Sequence, residues 1–390
     1  MANTSATTSK VVYILGAGFS KPAGAPSQGE ILREIFALQE PTPRIIKARE
    51  SLRRFLVDDL HVRESDIENV ALEDIYTPID RCISDGTSFK SKTYSDLGTL
   101  RSHIEHLISR AIDSTIRRKL EGSPNATSYI REFAEHMVKK ASHRAVLARE
   151  ANAPEMARRY DPFSIISLNW DILLDNALQD ALLRDCPMQG DYDPFGVVDY
   201  CCYVSSLERD DTRVRAGLWS LGCRGYNVKL LKLHGSMNWL QCPNCQRLYV
   251  SFGEKGGMLD NIGKTQCRHC EWNGHHNPLQ GSLVMPTFLK DLSNFQIKLV
   301  WQNAGVELME ARRLVFIGYS LPHADFEFRQ LLSRMIHRDA TVDVVLFKGT
   351  SKESEQAFEA ERNRYRQFFS GHKIGFHPRG VVEFVAKMRG

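Results

Sequence analysis

The spacing of apolar positions changes character several times along the chain. Val11-Val12-Tyr13-Ile14-Leu15 is a short apolar run ending at Gly16-Ala17-Gly18. It predicts a strand that enters a glycine turn, with a helix opening only near Gln28. From 28 to 157 the period is helical. Ile31, Leu32, Ile35 and Phe36 share a face; so do Ile45, Ile46, Leu52, Leu56 and Leu60, and so do Leu97, Leu100, Ile104, Leu107, Ile108 and Ile112. Strand-like runs are scarce there, so the stretch reads as an inserted helical subdomain.

Beyond it the runs are short and apolar again: FSIISL at 163–168, VKLLKL at 228–233, a run at about 282–287, RLVFIG at 313–318 and VDVVLF at 342–347. Helices are expected at about 171–181, 324–337 and 352–369. Near-continuous apolar strands that alternate with helices imply an α/β fold whose parallel sheet is covered on both faces. No internal repeat or low-complexity tract interrupts the pattern.

Composition narrows the class. The 390 residues are 42% hydrophobic and 25% charged, ordinary for a globular protein. A net charge of +4 gives no argument for nucleic acid, so direct nucleic-acid binding is not indicated. No run approaches the roughly 18–20 apolar residues that span a bilayer, so no membrane partner is expected. The opening MANTSATTSK is polar, unlike a secretory signal, and reads as a disordered lead-in. The expected compartment is the cytoplasm. Nine cysteines, an odd number, favour thiols and metal over a disulfide framework.

Four of those cysteines carry the most specific local signal. Cys242, Cys245, Cys267 and Cys270 follow the spacing C-x2-C-x21-C-x2-C, which suits tetrahedral zinc in a closed, structural site. His275 and His276 are competing ligands by type, but read better as exposed loop residues. A DNA-binding zinc ribbon is the bland alternative, and few basic residues flank the pairs to support it. Cys82, Cys186, Cys201, Cys202 and Cys223 show no ligand-like pairing beyond the adjacent Cys201-Cys202.

Candidate chemistry gathers where strands end. Gly16, Ala17, Gly18, Phe19 and Ser20 form a turn that lets backbone N–H groups approach a pyrophosphate, although Lys21 stands where a third glycine of the dinucleotide fingerprint would be. A ligand-free tight turn is the alternative. Asn169 and Asp171 follow the second strand; Asn169 suits a ribose hydroxyl or a water, and Asp171 equally suits a helix cap. His234 follows the third strand, where a histidine can serve as a general base. Gly318 and Ser320, in Gly318-Tyr319-Ser320-Leu321-Pro322, follow a later strand and suit a ribose or phosphate, with helix capping as the alternative.

In this order the motifs resemble the sirtuin superfamily, and look most like the bacterial sirtuin-like domains of antiphage defence proteins. The resemblance rests on Gly16-Ala17-Gly18-Phe19-Ser20, Asn169-x-Asp171, His234-Gly235, the four cysteines and Gly318-Tyr319-Ser320-Leu321. It implies a Rossmann-like parallel sheet with helices on both faces, an inserted helical subdomain and a small four-cysteine zinc module. The expected division is 1–27, 161–240 and 281–390 for the Rossmann-like part, 28–160 for the helical insert and 241–280 for the zinc module. It implies NAD as substrate: the glycine turn at the pyrophosphate, Ser320 near adenosine, Asn169 and Asp171 at the nicotinamide ribose, and His234 as base. It also implies homo-oligomers and, in some systems, a HerA-type ATPase partner.

Two departures bear on activity. Sirtuin deacylases carry a Gly-Ile-Pro-Asp-Phe-Arg type segment where this chain reads Gly24-Ala25-Pro26-Ser27-Gln28-Gly29. The long helical insert between the first two motifs is the second. Both favour NAD hydrolysis to nicotinamide and ADP-ribose, serving defence by NAD depletion, over the alternatives of an NAD-dependent protein deacylase or a non-enzymatic NAD or ADP-ribose sensing module.

Overall fold

A computed structural model describes residues 10–39, 42–150, 162–185, 196–208, 214–215, 217, 221, 225–253, 262–287, 290 and 292–388. The polar lead-in up to residue 9, residues 151–157 of the helical reading, and Cys186 and Cys223 lie outside the described residues.

Seven parallel strands form the main sheet: β1 (Val11–Leu15), β2 (Phe163–Ser167), β3 (Gly196–Asp199), β5 (Tyr226–Lys232), β9 (Arg313–Ile317), β10 (Thr341–Val345) and β11 (Ile374–His377). Their order is β11-β10-β9-β1-β2-β5-β3. Every pairing is parallel, and Leu15 of β1 lies level with Ser167 on one side and Ile317 on the other. The chain moves outward from β1 in one direction through β2 and β5, then returns to place β9 on β1's opposite flank. That reversal creates a topological switch point, and the crevice beyond the carboxyl ends of β1 and β9 is where such sheets bind ligands.

The helices are α1 (Ala17–Ser20), α2 (Ile31–Ala37), α3 (Pro43–Arg54), α4 (Leu72–Asp85), α5 (Tyr94–Gly122), α6 (Ser128–Glu150), α7 (Leu173–Asp185), α8 (Arg268–Trp272), α9 (Phe295–Glu310), α10 (Phe326–Met335), α11 (Lys352–Phe368) and α12 (Gly380–Met388). Both sheet faces are covered. Tyr226 of β5 donates its hydroxyl to Asp185 at the end of α7 (2.6 Å), and Lys229 reaches Glu307 of α9 (2.7 Å). Positions 226 and 229 differ in parity, so α7 and α9 lie on opposite faces. On α7's side, α6 packs against α7, α12 and β5.

The helical stretch divides between two cores. The buried face of α6, with Phe133 and Met137, joins the sheet core, where Phe133 meets the ring of Tyr13 edge-on at 5.5 Å. Helices α2 to α5 fill a second core instead. Leu97, Leu100, Ile104, Leu107, Ile108 and Ile112 of α5 are all buried there, as their spacing requires. Thr93 caps α5 reciprocally with Asp96. The same core contains Met237, Leu240, Cys242, Tyr249, Cys267, Cys270, Leu279, Leu283 and Met285. The helices and the cysteine module therefore solidify as one body, at about 1.5–3 kcal/mol per fully buried large apolar side chain.

Two expectations are corrected. The run at about 282–287 is the strand β8 (Gln280–Leu283), and it belongs to a second sheet, β4-β7-β6-β8, in which β6 (Gly235–Gln241) pairs antiparallel with β7 (Leu248–Val250) and β8, and β7 parallel with β4 (Val204–Ser206). Helical structure also begins well before Gln28. Gly16 N-caps α1 in extended conformation, so the chain coils immediately after β1.

Candidate active site

Two glycine loops cross at the switch point. The Gly18 amide donates to the Gly318 carbonyl (2.8 Å) and the Gly16 amide to Ile317 (3.1 Å). A Cβ on Gly18 would lie 2.7 Å from the Gly318 Cα, and one on Gly16 would lie 2.6 Å from the Tyr319 Cα. These glycines are needed for loop-on-loop contact, a demand that the pattern of strand and turn did not reveal. Gly318 adds a left-handed backbone, φ +62°.

Of the turn residues, Gly16 and Ala17 line the cleft beyond β1 and β9; Gly318 and Ser320 line it from the other loop. Gly18, Phe19 and Ser20 lie behind this lining. Phe19 is buried against Tyr129 and Phe133, and its carbonyl accepts from the Tyr129 hydroxyl (2.6 Å). Ser20 is buried, and its Oγ accepts from Asn169 Nδ2 (3.2 Å).

Asn169 and Asp171 both reach the cleft. Asn169 Nδ2 also donates to the Gly16 carbonyl (3.0 Å), so the amide nitrogen clamps the glycine turn and leaves Oδ1 as the atom it can offer a ligand. Asp171 accepts the Leu173 amide at 3.2 Å, the capping role, while facing the cleft. Burial pushes its carboxyl above the usual range, against the pull of Lys232. Lys232 is 1% exposed; it donates to the Asp171 carbonyl (2.6 Å) and pairs with Asp175 (3.1 Å), whose other oxygen accepts from the Tyr200 hydroxyl (2.7 Å). This buried lysine supports the strand end from beneath. The apolar strand pattern of 228–233 concealed it.

His234 stands at the cleft's inner wall. Its Nδ1 is 3.0 Å from the Leu168 carbonyl, which can only accept, so the proton sits on Nδ1 and Nε2 is the basic nitrogen. Nε2 faces Asp325 Oδ1 at 3.4 Å. The same oxygen is 3.0 Å from Lys290 Nζ, and Oδ2 accepts from the Tyr319 hydroxyl at 2.8 Å. Burial opposes the charge on Asp325, but His234 in its protonated form and Lys290 hold the carboxyl well below its usual value. Lys290 and Asp325 were not legible as site residues: one sits outside regular structure, and the other immediately precedes α10.

The cleft has a volume of about 290 Å³, at the small end for ligand pockets. Its outer wall comes from Ala25, Pro26, Ser27, Gln28 and Gly29, with Glu73 of α4 behind them. Ser27 is locked to Glu30 by a capping box, and Gln28 donates to Glu73 at 2.7 Å. Ser27, Gln28 and Glu73 give this wall its polar groups, and residues 25–29 carry no aromatic side chain, although Trp170 and Tyr319 line the cleft elsewhere.

The four cysteines converge. All four sulfurs lie within 4.8 Å of one another, with Cys242–Cys270 and Cys245–Cys267 each at 3.6 Å. A tetrahedron of Zn–S bonds of about 2.3 Å requires S···S edges of about 3.8 Å, so the donor set fits zinc. The Cys245 amide (3.5 Å) and Asn244 Nδ2 (3.6 Å) donate toward sulfurs, as thiolates require. Bound zinc would cross-link the two knuckles and leave no open coordination position. His275 and His276 are exposed and outside the set. Strand β6 joins His234 to Cys242, roughly 25 Å of extended chain, so bound zinc would brace the strand from its far end, away from the histidine. Cys82, Cys201 and Cys202 are free thiols. Among the described residues no helix is long and apolar enough to cross a membrane.

No protein-family model and no curated protein matches the chain. Among solved structures it is similar to a Sir2–p53 peptide–NAD+ complex over 97% of its length and 91% of that chain, at 13% identity and a TM-score of 0.37. It is similar to a Sir2 homolog–NAD complex over 98% and 91%, at 11% identity and a TM-score of 0.39. A third, from work on the structural basis of sirtuin substrate affinity, covers 97% and 91% at 12% identity, with a TM-score of 0.34.

Proposed function

We propose that the chain hydrolyses NAD+ at the bond between nicotinamide and ribose, releasing nicotinamide and ADP-ribose. The observation that carries this reading is the position of His234 Nε2: a basic nitrogen in the switch-point cleft, 3.4 Å from a second acceptor, Asp325 Oδ1. Nε2 has no hydrogen-bond donor among the described residues, and Oδ1 has the Lys290 ammonium at 3.0 Å but no well-formed hydrogen bond. Two adjacent acceptors call for O–H donors, and a ribose diol or a water supplies them.

In this reading Gly16, Ala17, Gly318 and Ser320 line the pyrophosphate and adenosine side, with Gly18, Phe19 and Ser20 fixing the turn from behind. Asn169 Oδ1 and Asp171 face the nicotinamide ribose. The C1′–N bond breaks with its electron pair leaving on nicotinamide, which thereby becomes neutral and needs no proton. Water bonds C1′, and its proton passes to His234 Nε2. The carboxylates of the cleft oppose the positive charge that develops on the ribose. The polar wall of Ser27 and Gln28 admits water to that centre, which favours hydrolysis over transfer to an acyl-lysine. In the cell such an activity fits antiphage defence by NAD depletion, restrained by self-assembly or by a HerA-type ATPase.

The test is mass-resolved product analysis with NAD+, with and without an acetyl-lysine peptide, for the wild type, His234→Ala and Asn169→Ala. Nicotinamide and ADP-ribose independent of peptide, lost in both variants, is the expected result. O-acetyl-ADP-ribose would replace this reading with deacylation, and tight binding without turnover would replace it with sensing.

A further inference from the structure

We propose that Lys290, Asp325 and His234 form a charge chain in which Asp325 is a positioning residue that sets the proton affinity of His234 and Lys290 sets how strongly Asp325 does so. This deepens the reading of His234 as the base and rests on it. The geometry is specific. Nδ1 is committed to the Leu168 carbonyl, so Nε2 alone can take or release a proton. Nε2 faces Asp325 Oδ1 at 3.4 Å, and that one oxygen also faces Lys290 Nζ at 3.0 Å. The Lys290 side chain is 2% exposed and that of Asp325 6% exposed, so bulk water screens them little.

A carboxylate that served only to anchor Lys290 would gain most by turning both oxygens to it. Here Oδ2 is held by Tyr319 at 2.8 Å, and Oδ1 is left between two bases. With Nε2 unprotonated, its lone pair and the Oδ1 charge oppose each other across the 3.4 Å gap. A proton on Nε2 relieves that, and so does a donor hydroxyl from substrate or water. Asp325 therefore draws a proton or a donor hydroxyl toward Nε2, and Lys290 tempers that pull by drawing on the same oxygen. The titratable and charged groups lining the cleft around His234 are Glu73, Asp171, Lys290, Tyr319 and Asp325; of these, Asp325 carries the ion-pair contact to the imidazole.

The two ends of the chain must act in opposite directions. Asp325→Asn removes the anion, so the His234 midpoint falls. Lys290→Met removes the competing cation, so the midpoint rises. Each shift should be about one pH unit, as for a full charge a few ångströms away. The readout is NMR titration of the full chain labelled with carbon-13 at histidine, the His234 signal being assigned by its loss in His234→Ala. It needs no NAD, so failure of the chain appears as an unmoved His234 midpoint, whereas failure of the hydrolase reading appears as missing nicotinamide. Tyr319→Phe, which removes one donor and no charge, serves if Asp325→Asn does not fold: it should move the midpoint upward, by less than Lys290→Met. Where NAD is turned over, the acidic limb of kcat/KM should follow the same shifts. Midpoints that stay at the wild-type value, or that move the same way in Asp325→Asn and Lys290→Met, overturn the proposal.

Discussion

Substitution of Gly318 by alanine tests whether the crossing of the two glycine loops holds the cleft together. Gly318 has φ +62°, and an added Cβ would lie 2.3 Å from the Gly18 carbonyl carbon and from the Phe19 amide nitrogen. Backbone stands on the opposing side, so no side chain can swing away. The left-handed conformation costs alanine about 1–2 kcal/mol. Parting the loops costs about 1–3 kcal/mol more. The sum is about 2–5 kcal/mol. With an unfolding entropy of about 2.1 cal/mol/K per residue over 390 residues, or about 0.8 kcal/mol/K, the melting temperature should fall by about 2–6 °C. Gly18→Ala meets the same wall at 2.7 Å without a left-handed φ, and should fall less. Gly98→Ala, in α5 with nothing within 4 Å, should hold or rise. Scanning calorimetry gives the order, and titration with ADP-ribose should show binding lost in Gly318→Ala alone of these if the loops shape the nucleotide side. A Gly318→Ala protein that melts with Gly98→Ala would refute the argument.

Metal analysis of purified protein should find zinc at one per chain, and Cys267→Ser or exhaustive chelation should remove it; because β6 links the cysteines to His234, NAD turnover should fall with the metal, and full activity in metal-free protein would contradict the bracing role. Lys232→Met strands the carboxylate of Asp175 in the interior, 1% exposed, and should cost about 3–5 kcal/mol. Adding Asp175→Asn to it should recover part of that loss in thermal melts, and equal instability of the single and double variants would show that the charge was not the cause.

The main sheet was legible where strands are largely buried, since β1, β2, β5, β9 and β10 are mostly apolar runs. Of the remaining strands only β8 was legible, as the run at about 282–287, and it lies in the second sheet. β6 is buried almost throughout yet carries Ser236 and Asn238, which break any apolar run. β3 and β11 have four residues each, too few to show a period. The site was legible to the extent that it hangs on strand ends: Gly16, Asn169, Asp171, His234 and Gly318 all meet at the cleft. Lys290, Asp325 and Lys232 escaped because their significance is pairwise. Each is defined by a charge on a distant segment, and sequence spacing holds no record of that.

The core shared by α2–α5 and the cysteine module has a consequence during synthesis. Its first contributors end near Ile112, and its next large block begins at Met237, 125 residues further on. At about 5–20 residues per second, a ribosome needs roughly 6–25 s to cover that distance. Through this interval the nascent helices present an apolar face whose partner has not yet been made. Newly made chains should therefore depend on a chaperone during elongation, and truncation before the second cysteine pair should yield aggregation in place of a smaller folded unit.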